Sequence, residues 1–212
     1  MIAYASRTGT RRNLDALRHA GWRLLVSAAG VLRHEGFRYA LDNGAWAAFQ
    51  RQAPIDLVLF AHALDTLGTS ADWCVVPDIV AGGRDSLALS TAWLPRVLNA
   101  CPYALVAVQD GLTPDDVVPL LGARVGIFVG GSTAWKEQTL PQWGGVARAA
   151  RCWCHVGRVN SARRIRLCSL AGVTSFDGSS GSRYAVTIPR LNHARNQLSL
   201  FGGPDACTQD LA

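Results

Sequence analysis

Short apolar runs alternate along this chain with stretches whose apolar positions recur every three to four residues. The first pattern belongs to buried strands and the second to amphipathic helices. Read this way, the sequence predicts strands over residues 2–5, 23–27, 38–41, 73–77, 104–108, 125–129, 154–159 and 174–176. Helices are predicted between most of them, for example over 11–20, 54–67, 85–99, 114–121 and 161–171, with Pro95 kinking or shortening the third. Helix punctuation supports this division. Thr113-Pro114-Asp115-Asp116 offers a cap, a proline at the first helical position and acids in the first turn. Asn160 or Ser161 can cap the helix at 161–171, and Gly21, Gly122 and Gly172 follow helical patterns as terminating glycines do.

Strand-then-helix alternation implies a parallel sheet. Eight strands predict an α/β fold, a single compact (β/α)8 barrel of TIM type, with an open doubly wound sheet as the alternative. The connection over residues 28–37 is too short for a full helix, so one unit of the barrel is expected to be degenerate. The barrel is assigned residues 1–200, and 201–212 is expected to be a disordered tail.

Length and composition narrow the class. A chain of 212 residues can bury one sizeable core but is short for two domains. With 49% hydrophobic and 17% charged residues, disorder is excluded as the main state. No apolar run approaches the roughly 18 residues of a membrane helix, and residues 1–13 have no apolar stretch before a cleavage site. The expectation is a cytoplasmic protein with no membrane partner and six reduced cysteines. Cys152-Trp153-Cys154-His155 gathers three potential ligands, but paired spacing and a second cluster are missing. On a strand, Cys152 and Cys154 face one side and His155 the other, so no metal is predicted. Net charge is +6, carried almost wholly by arginine, with Lys136 the only lysine. That balance suits a polyanion partner, although a GC-rich genome explains the arginine bias equally well.

In a parallel barrel, chemistry gathers at the C-terminal ends of the strands. The sequence puts its unusual polar residues there: Asp42-Asn43-Gly44 after the third strand, Asp78 after the fourth, and Gln109-Asp110-Gly111 after the fifth. Gly130-Gly131-Ser132 follows the sixth, Gly157-Arg158-Val159-Asn160 the seventh, and Asp177-Gly178 ends the eighth. Each pair alone is an ordinary turn former. Together they bring carboxylates to one mouth, where they perturb each other's proton affinity. Gln109 can donate and accept, and glycine lets a flat ligand approach the backbone.

These residues resemble the tRNA-guanine transglycosylase superfamily. Leu41-Asp42-Asn43-Gly44-Ala45-Trp46 resembles the segment that carries the family's general base, with Asn43 in place of the usual serine. Pro77-Asp78 and Val108-Gln109-Asp110-Gly111 resemble segments that contact the guanine-like base, with Asp110 replacing a glycine. Gly130-Gly131 resembles a segment whose backbone contacts that base. Gly172-Val173-Thr174-Ser175-Phe176-Asp177 resembles the nucleophile strand. The resemblance covers roughly residues 39–183. It lacks the zinc subdomain with which tRNA-acting members grip their substrate. The compact form is most similar to transglycosylases that insert 7-deazaguanine bases into DNA in phage and bacterial modification systems.

The resemblance implies base exchange without a cofactor. Asp177 is the expected nucleophile and Asp42 the general base. Asp78, Gln109, Gly130, Gly131 and Asn43 are the expected base-binding residues. Phosphates are expected to meet Arg158, Arg163, Arg164, Arg166, Lys136 and Arg183, although a solvated helix face explains the 163–166 cluster as well. Trp46, Trp135 and Tyr184 are candidates for base stacking, with core packing the alternative. DNA is favoured over tRNA as the polymer, and a partner protein or a homodimer is left open. The other readings are a tRNA enzyme, a hydrolytic N-glycosidase, a non-catalytic nucleic-acid-binding subunit, and an unrelated sugar-phosphate barrel.

Overall fold

The computed structural model describes residues 1–197, and the tail expected at 201–212 lies outside them. Eight strands pair in chain order, all parallel, and the last closes on the first. They are β1 (Ile2–Ser6), β2 (Arg23–Ser27), β3 (Tyr39–Asp42), β4 (Cys74–Val75), β5 (Ala104–Val108), β6 (Val125–Val129), β7 (Cys154–Val156) and β8 (Ser175–Gly178). This is the closed (β/α)8 barrel that the alternation predicts, and the open-sheet alternative is excluded. Strands β4 and β7 are shorter than their apolar runs, because their last residues bend into the mouth loops.

The outer helices are α1 (Arg11–His19), α2 (Ala45–Gln50), α3 (Leu57–Leu67), α4 (Gly83–Ala100), α5 (Pro114–Val117), α6 (Thr133–Ala149), α7 (Ala162–Leu170), α8 (Ser180–Arg183) and α9 (Ile188–Asn196). No helix joins β2 to β3, which is the degenerate unit. Pro95 does not shorten α4; the helix continues to Ala100, since packing along its buried face outweighs the one hydrogen bond that proline removes. Thr113 and Asp116 form the expected cap, with the Thr113 N–H and hydroxyl both donating to Asp116 Oδ2 at 2.9 and 2.8 Å. Ser161 caps α7, accepting from Arg164 N at 3.3 Å. Asn160 instead accepts from Ser180 N at 3.0 Å and ties the end of β7 to the segment after β8.

Alternation along each strand divides the core in two. Outward residues such as Ala3, Leu24, Leu41, Val106, Ile127 and Phe176 pack against the helices. Inward residues fill the barrel: Tyr4, Leu25, Ala40, Trp73, Val75 and Leu105, with Phe128 and Trp153 against them. The N-terminal end of the barrel is closed by Asp72, which accepts from Tyr4 OH, Arg23 and Arg38, each at 2.9 Å. That end is a polar plug, which leaves the opposite end for a ligand.

Candidate active site

The same two-residue period that fills the barrel builds its mouth. The inward series of β1 ends in Ser6, of β3 in Asp42, of β5 in Ala107 and Gln109, and of β6 in Phe128 and Gly130. On β7 and β8 it ends in Gly157 and Asp177. All of these line one cavity of about 360 Å³ at the C-terminal end of the sheet. Asp78, Asn43, Gly131, Arg158 and Arg183 reach the same cavity from the loops. Of the sequence-derived site residues, Lys136, Arg163, Arg164 and Arg166 do not line it.

Asp177 is buried, with 7% of its surface exposed. Its Oδ1 accepts from His155 Nε2 at 3.1 Å and from Arg158 N at 3.3 Å. Arg158 holds a left-handed backbone, φ +61°, which turns its N–H toward Asp177 at a steric cost. Gly157 is required beside it: a Cβ there would lie 2.8 Å from the Phe128 ring. Asp42 faces Asp177 across the barrel axis, one on β3 and the other on β8. Burial pushes its carboxyl up to about 6, and the negative charge of Asp177 adds to that. Asp78 is also raised to about 6 by burial, although the Asn43 amide donating to its Oδ1 at 2.7 Å pulls the other way.

Two of the expected base-binding residues spend their polar atoms on the protein. The Asn43 side-chain amide donates to Val76 O as well as Asp78, and its oxygen accepts from Ala45 N at 2.9 Å. Gln109 accepts from Ala81 N at 2.7 Å and donates to Ile79 O at 2.8 Å. Both brace the loop that carries Asp78, so they shape the pocket while Asp78 presents the charge. The Gly130 N–H is likewise committed to Val108 O, which leaves Gly131 as the amide the glycine pair can offer. Gly131 has φ +73°, and a Cβ there would lie 2.5 Å from Asp110 Oδ2. Asp110 itself accepts from Ser132 N and Oγ at 2.7 and 2.8 Å. Those bonds outweigh its partial burial and hold its carboxyl below the ordinary range.

The basic residues separate into different roles. Arg158 donates to Gly131 O and lies with its guanidinium carbon 4.0 Å from the centre of the Trp46 ring. It therefore spans part of the cavity rim, and it covers the face that Trp46 would use for stacking. Arg183 is exposed at the same rim. Lys136 departs from its expected surface role. It is 7% exposed, and its Nζ donates to Gly157 O at 2.5 Å beneath the loop. Burial lowers it to about 8, with the Arg158 charge adding to the shift. Arg163 and Arg164 both pair with Glu137, at 2.7 and 3.0 Å. Arg166 donates to the Gln197 side chain at 3.2 Å. The 163–166 cluster is thus partly neutralised within the protein. Trp135 packs near Trp143, at 6.2 Å between ring centroids, whereas Tyr184 is exposed.

His155 is the residue that sequence reasoning passed over, having weighed it only as a metal ligand. It is fully buried inside the barrel, stacked on Phe128 and 3.1 Å from Asp177. A histidine on the inward parity of β7, one step below Gly157, was the available signal. Cys154 faces the helices instead, so the Cys-Trp-Cys-His run diverges as the alternation predicts. Among the described residues, no group of three His, Cys, Asp or Glu side chains converges on a point where a metal could sit. Burial pushes Cys101 and Cys152 up to about 11 and Cys168 up to about 12, so these thiols stay protonated.

The fold and this mouth define a (β/α)8 barrel with an acidic, glycine-edged pocket closed at its far end. Searches against protein-family models and against curated proteins find no match to the chain. No described helix is long and apolar enough to cross a membrane.

Proposed function

We propose that this protein is a base-exchange transglycosylase of the tRNA-guanine transglycosylase type, replacing guanine in a nucleic acid with a 7-deazaguanine. The observation that carries this reading is the meeting of Asp42, Asp78 and Asp177 in one cavity, with two of the three carboxyls raised to about 6. One raised and one hydrogen-bonded carboxylate is the division of labour that an acid/base and a nucleophile require.

The Asp177 carboxylate forms a bond to C1′ as the C1′–N9 bond breaks. The electron pair goes to N9, which takes the proton held by Asp42, and guanine leaves. The transition state carries oxocarbenium character, which the anionic pocket stabilises. A 7-deazaguanine then enters, Asp42 takes back its N9 proton, and N9 attacks C1′ while the C1′–O pair returns to Asp177. Asp78 and the Gly131 amide hold each base in turn, on the loops that Asn43, Gln109 and Asp110 fix. A cavity of about 360 Å³ accommodates a purine-sized base removed from the stack.

DNA is the proposed polymer, gripped through Arg158, Arg183 and the exposed Arg163, with no cofactor. A non-catalytic binding subunit would need neither Asp42 nor Asp177. The test offers purified protein DNA and tRNA with labelled guanine or a labelled 7-deazaguanine. The expected result is Asp177-dependent label in DNA. Label in tRNA alone overturns the choice of polymer, release of free guanine without label uptake marks a hydrolase, and neither product overturns the reading.

A further inference from the structure

We infer that His155 is a positioning residue for Asp177: held by Ser175 with its proton on Nε2, it pins Oδ1 and leaves Oδ2 as the oxygen that bonds C1′. The inference rests on the base-exchange reading above and adds to it the orientation of the nucleophile.

The proton positions follow from donor and acceptor inventory. Trp153 Nε1–H is a donor only, and it lies 2.6 Å from Ser175 Oγ, so Ser175 accepts from it. The Ser175 hydroxyl keeps its own proton, free to be donated to His155 Nδ1 at 2.8 Å. With Nδ1 accepting, the ring proton sits on Nε2 and is donated to Asp177 Oδ1 at 3.1 Å. The reverse arrangement would set the Nε2 lone pair against a carboxylate oxygen. A doubly protonated ring is disfavoured by full burial and by the Lys136 charge, although Asp177 opposes both. Walls of Tyr4, Trp73 and Phe128 rings, at 5.7, 4.5 and 5.1 Å between centroids, hold the imidazole in place. Oδ1 therefore receives two N–H groups, from His155 and from Arg158. Among the described residues Oδ2 has no hydrogen-bond partner, and it is not among the buried unpartnered atoms, so it opens to the cavity that Asp177 lines.

This geometry has a consequence that simple structural support does not. Two donors on Oδ1 stabilise the free carboxylate more than the glycosyl ester, in which the charge is gone. They hold back ester formation and assist its breakdown, so the covalent intermediate stays short-lived. Removing the His155 donor shifts the balance toward the intermediate.

The test has two arms on the full-length protein. Imidazole 15N shifts of the wild-type protein are expected to show Nδ1 unprotonated and Nε2 protonated at pH 7; a proton on Nδ1, alone or with Nε2, overturns the inference without reference to activity. In the second arm, protein is incubated with guanine-containing DNA at fixed free guanine, and the covalent adduct is read on a denaturing gel. His155→Phe keeps a flat ring without a donor and is expected to raise the adduct-to-free ratio about tenfold while slowing turnover, the scale of one hydrogen bond to a charged group. His155→Gln, which restores an N–H, is expected nearer wild type. Should the Phe variant fail to fold, Ser175→Ala releases the ring from its tautomer and is expected to shift the ratio the same way. A ratio at or below wild type in the folded variant overturns the role of His155 alone. No adduct on DNA or tRNA from the wild-type protein or from the folded variant that lacks the donor overturns the base-exchange reading, and the role with it.

Discussion

At the scale of single residues, the site is a set of carboxyl groups made different by their surroundings. Asp177→Ala is expected to abolish exchange and Asp177→Asn to leave a trace, because an amide neither attacks C1′ nor supports a cationic transition state. Incorporation of labelled base measures both. Asp42→Asn is expected to slow adduct formation and uptake of the incoming base alike, because the same carboxyl gives N9 its proton and takes it back, and single-turnover experiments read the two steps separately. The raised carboxyls also have a cost in stability with a definite sign. Asp42 and Asp78 are lifted from 3.8 to about 6, so the folded protein binds more protons than the unfolded chain between those values. Stability from these groups is fullest below about pH 4 and falls as pH rises toward 6. Asp42→Asn and Asp78→Asn are therefore expected to be more stable than wild type at pH 7.5 and equal to it near pH 4. A shift of about two units is worth up to about 3 kcal/mol, and water in the cavity screens it to about 1–2 kcal/mol. Urea unfolding at the two pH values checks the sign; a larger gain at the acid end would contradict it.

The elements matter here through the loops that join them. The β5 and β6 loops are locked to each other by Asp110, whose carboxylate takes both the N–H and hydroxyl of Ser132 at the start of α6. Gly131 sits inside that lock with a left-handed backbone and no room for a Cβ. Asp110→Ala is expected to lose about 2 kcal/mol of stability, from two hydrogen bonds to a charged group, and to weaken base binding by releasing the Gly131 edge. Thermal melts and titration with free 7-deazaguanine measure the two effects. A variant with unchanged base affinity would show that this edge does not meet the ligand. Asn43 and Gln109 act at the same scale. They connect the β3 and β5 ends to the β4 loop, and so set where Asp78 stands.

For the whole molecule, the barrel separates stability from chemistry along its axis. Asp72 closes one end with Tyr4, Arg23 and Arg38, while the carboxylate mouth occupies the other. Asp72→Ala leaves the Tyr4 hydroxyl and Arg23 without their partner and is expected to cost about 3 kcal/mol. Exchange per folded molecule should stay at the wild-type level, since the plug lies a barrel length from the pocket. Reduced turnover at full occupancy of the folded state would mean the two ends are coupled. The charge of +6 belongs to this scale too. DNA binding is expected to weaken steeply with salt, and Arg183→Ala to reduce the slope of log K against log salt by about one. An unaltered slope would remove Arg183 from the phosphate contacts.

The alternation of apolar runs and amphipathic stretches was enough to place the eight strands, to favour the barrel and to mark the missing helix between β2 and β3, while the pairing of β8 with β1 is what excluded the open sheet. It could do so because period and connection length are local properties of the chain, and eight parallel units close in very few ways. The same local reading located Asp42, Asp78 and Asp177 at strand ends, since strand ends are marked by the residues that follow them. It could not tell which of these polar residues keep their atoms free. Asn43 and Gln109 look like ligand groups in sequence, but the fold spends them on Asp78, Val76, Ile79 and Ala81. Lys136 and the arginines of α7 look alike as charges, yet one is buried under Gly157 and two are paired with Glu137. His155 reads as one polar residue in an apolar strand, and only closure of β7 against β8 brings it to Asp177. Pairing across strands depends on register and on which side chains meet inside the barrel, and those distances exist only once the sheet has closed.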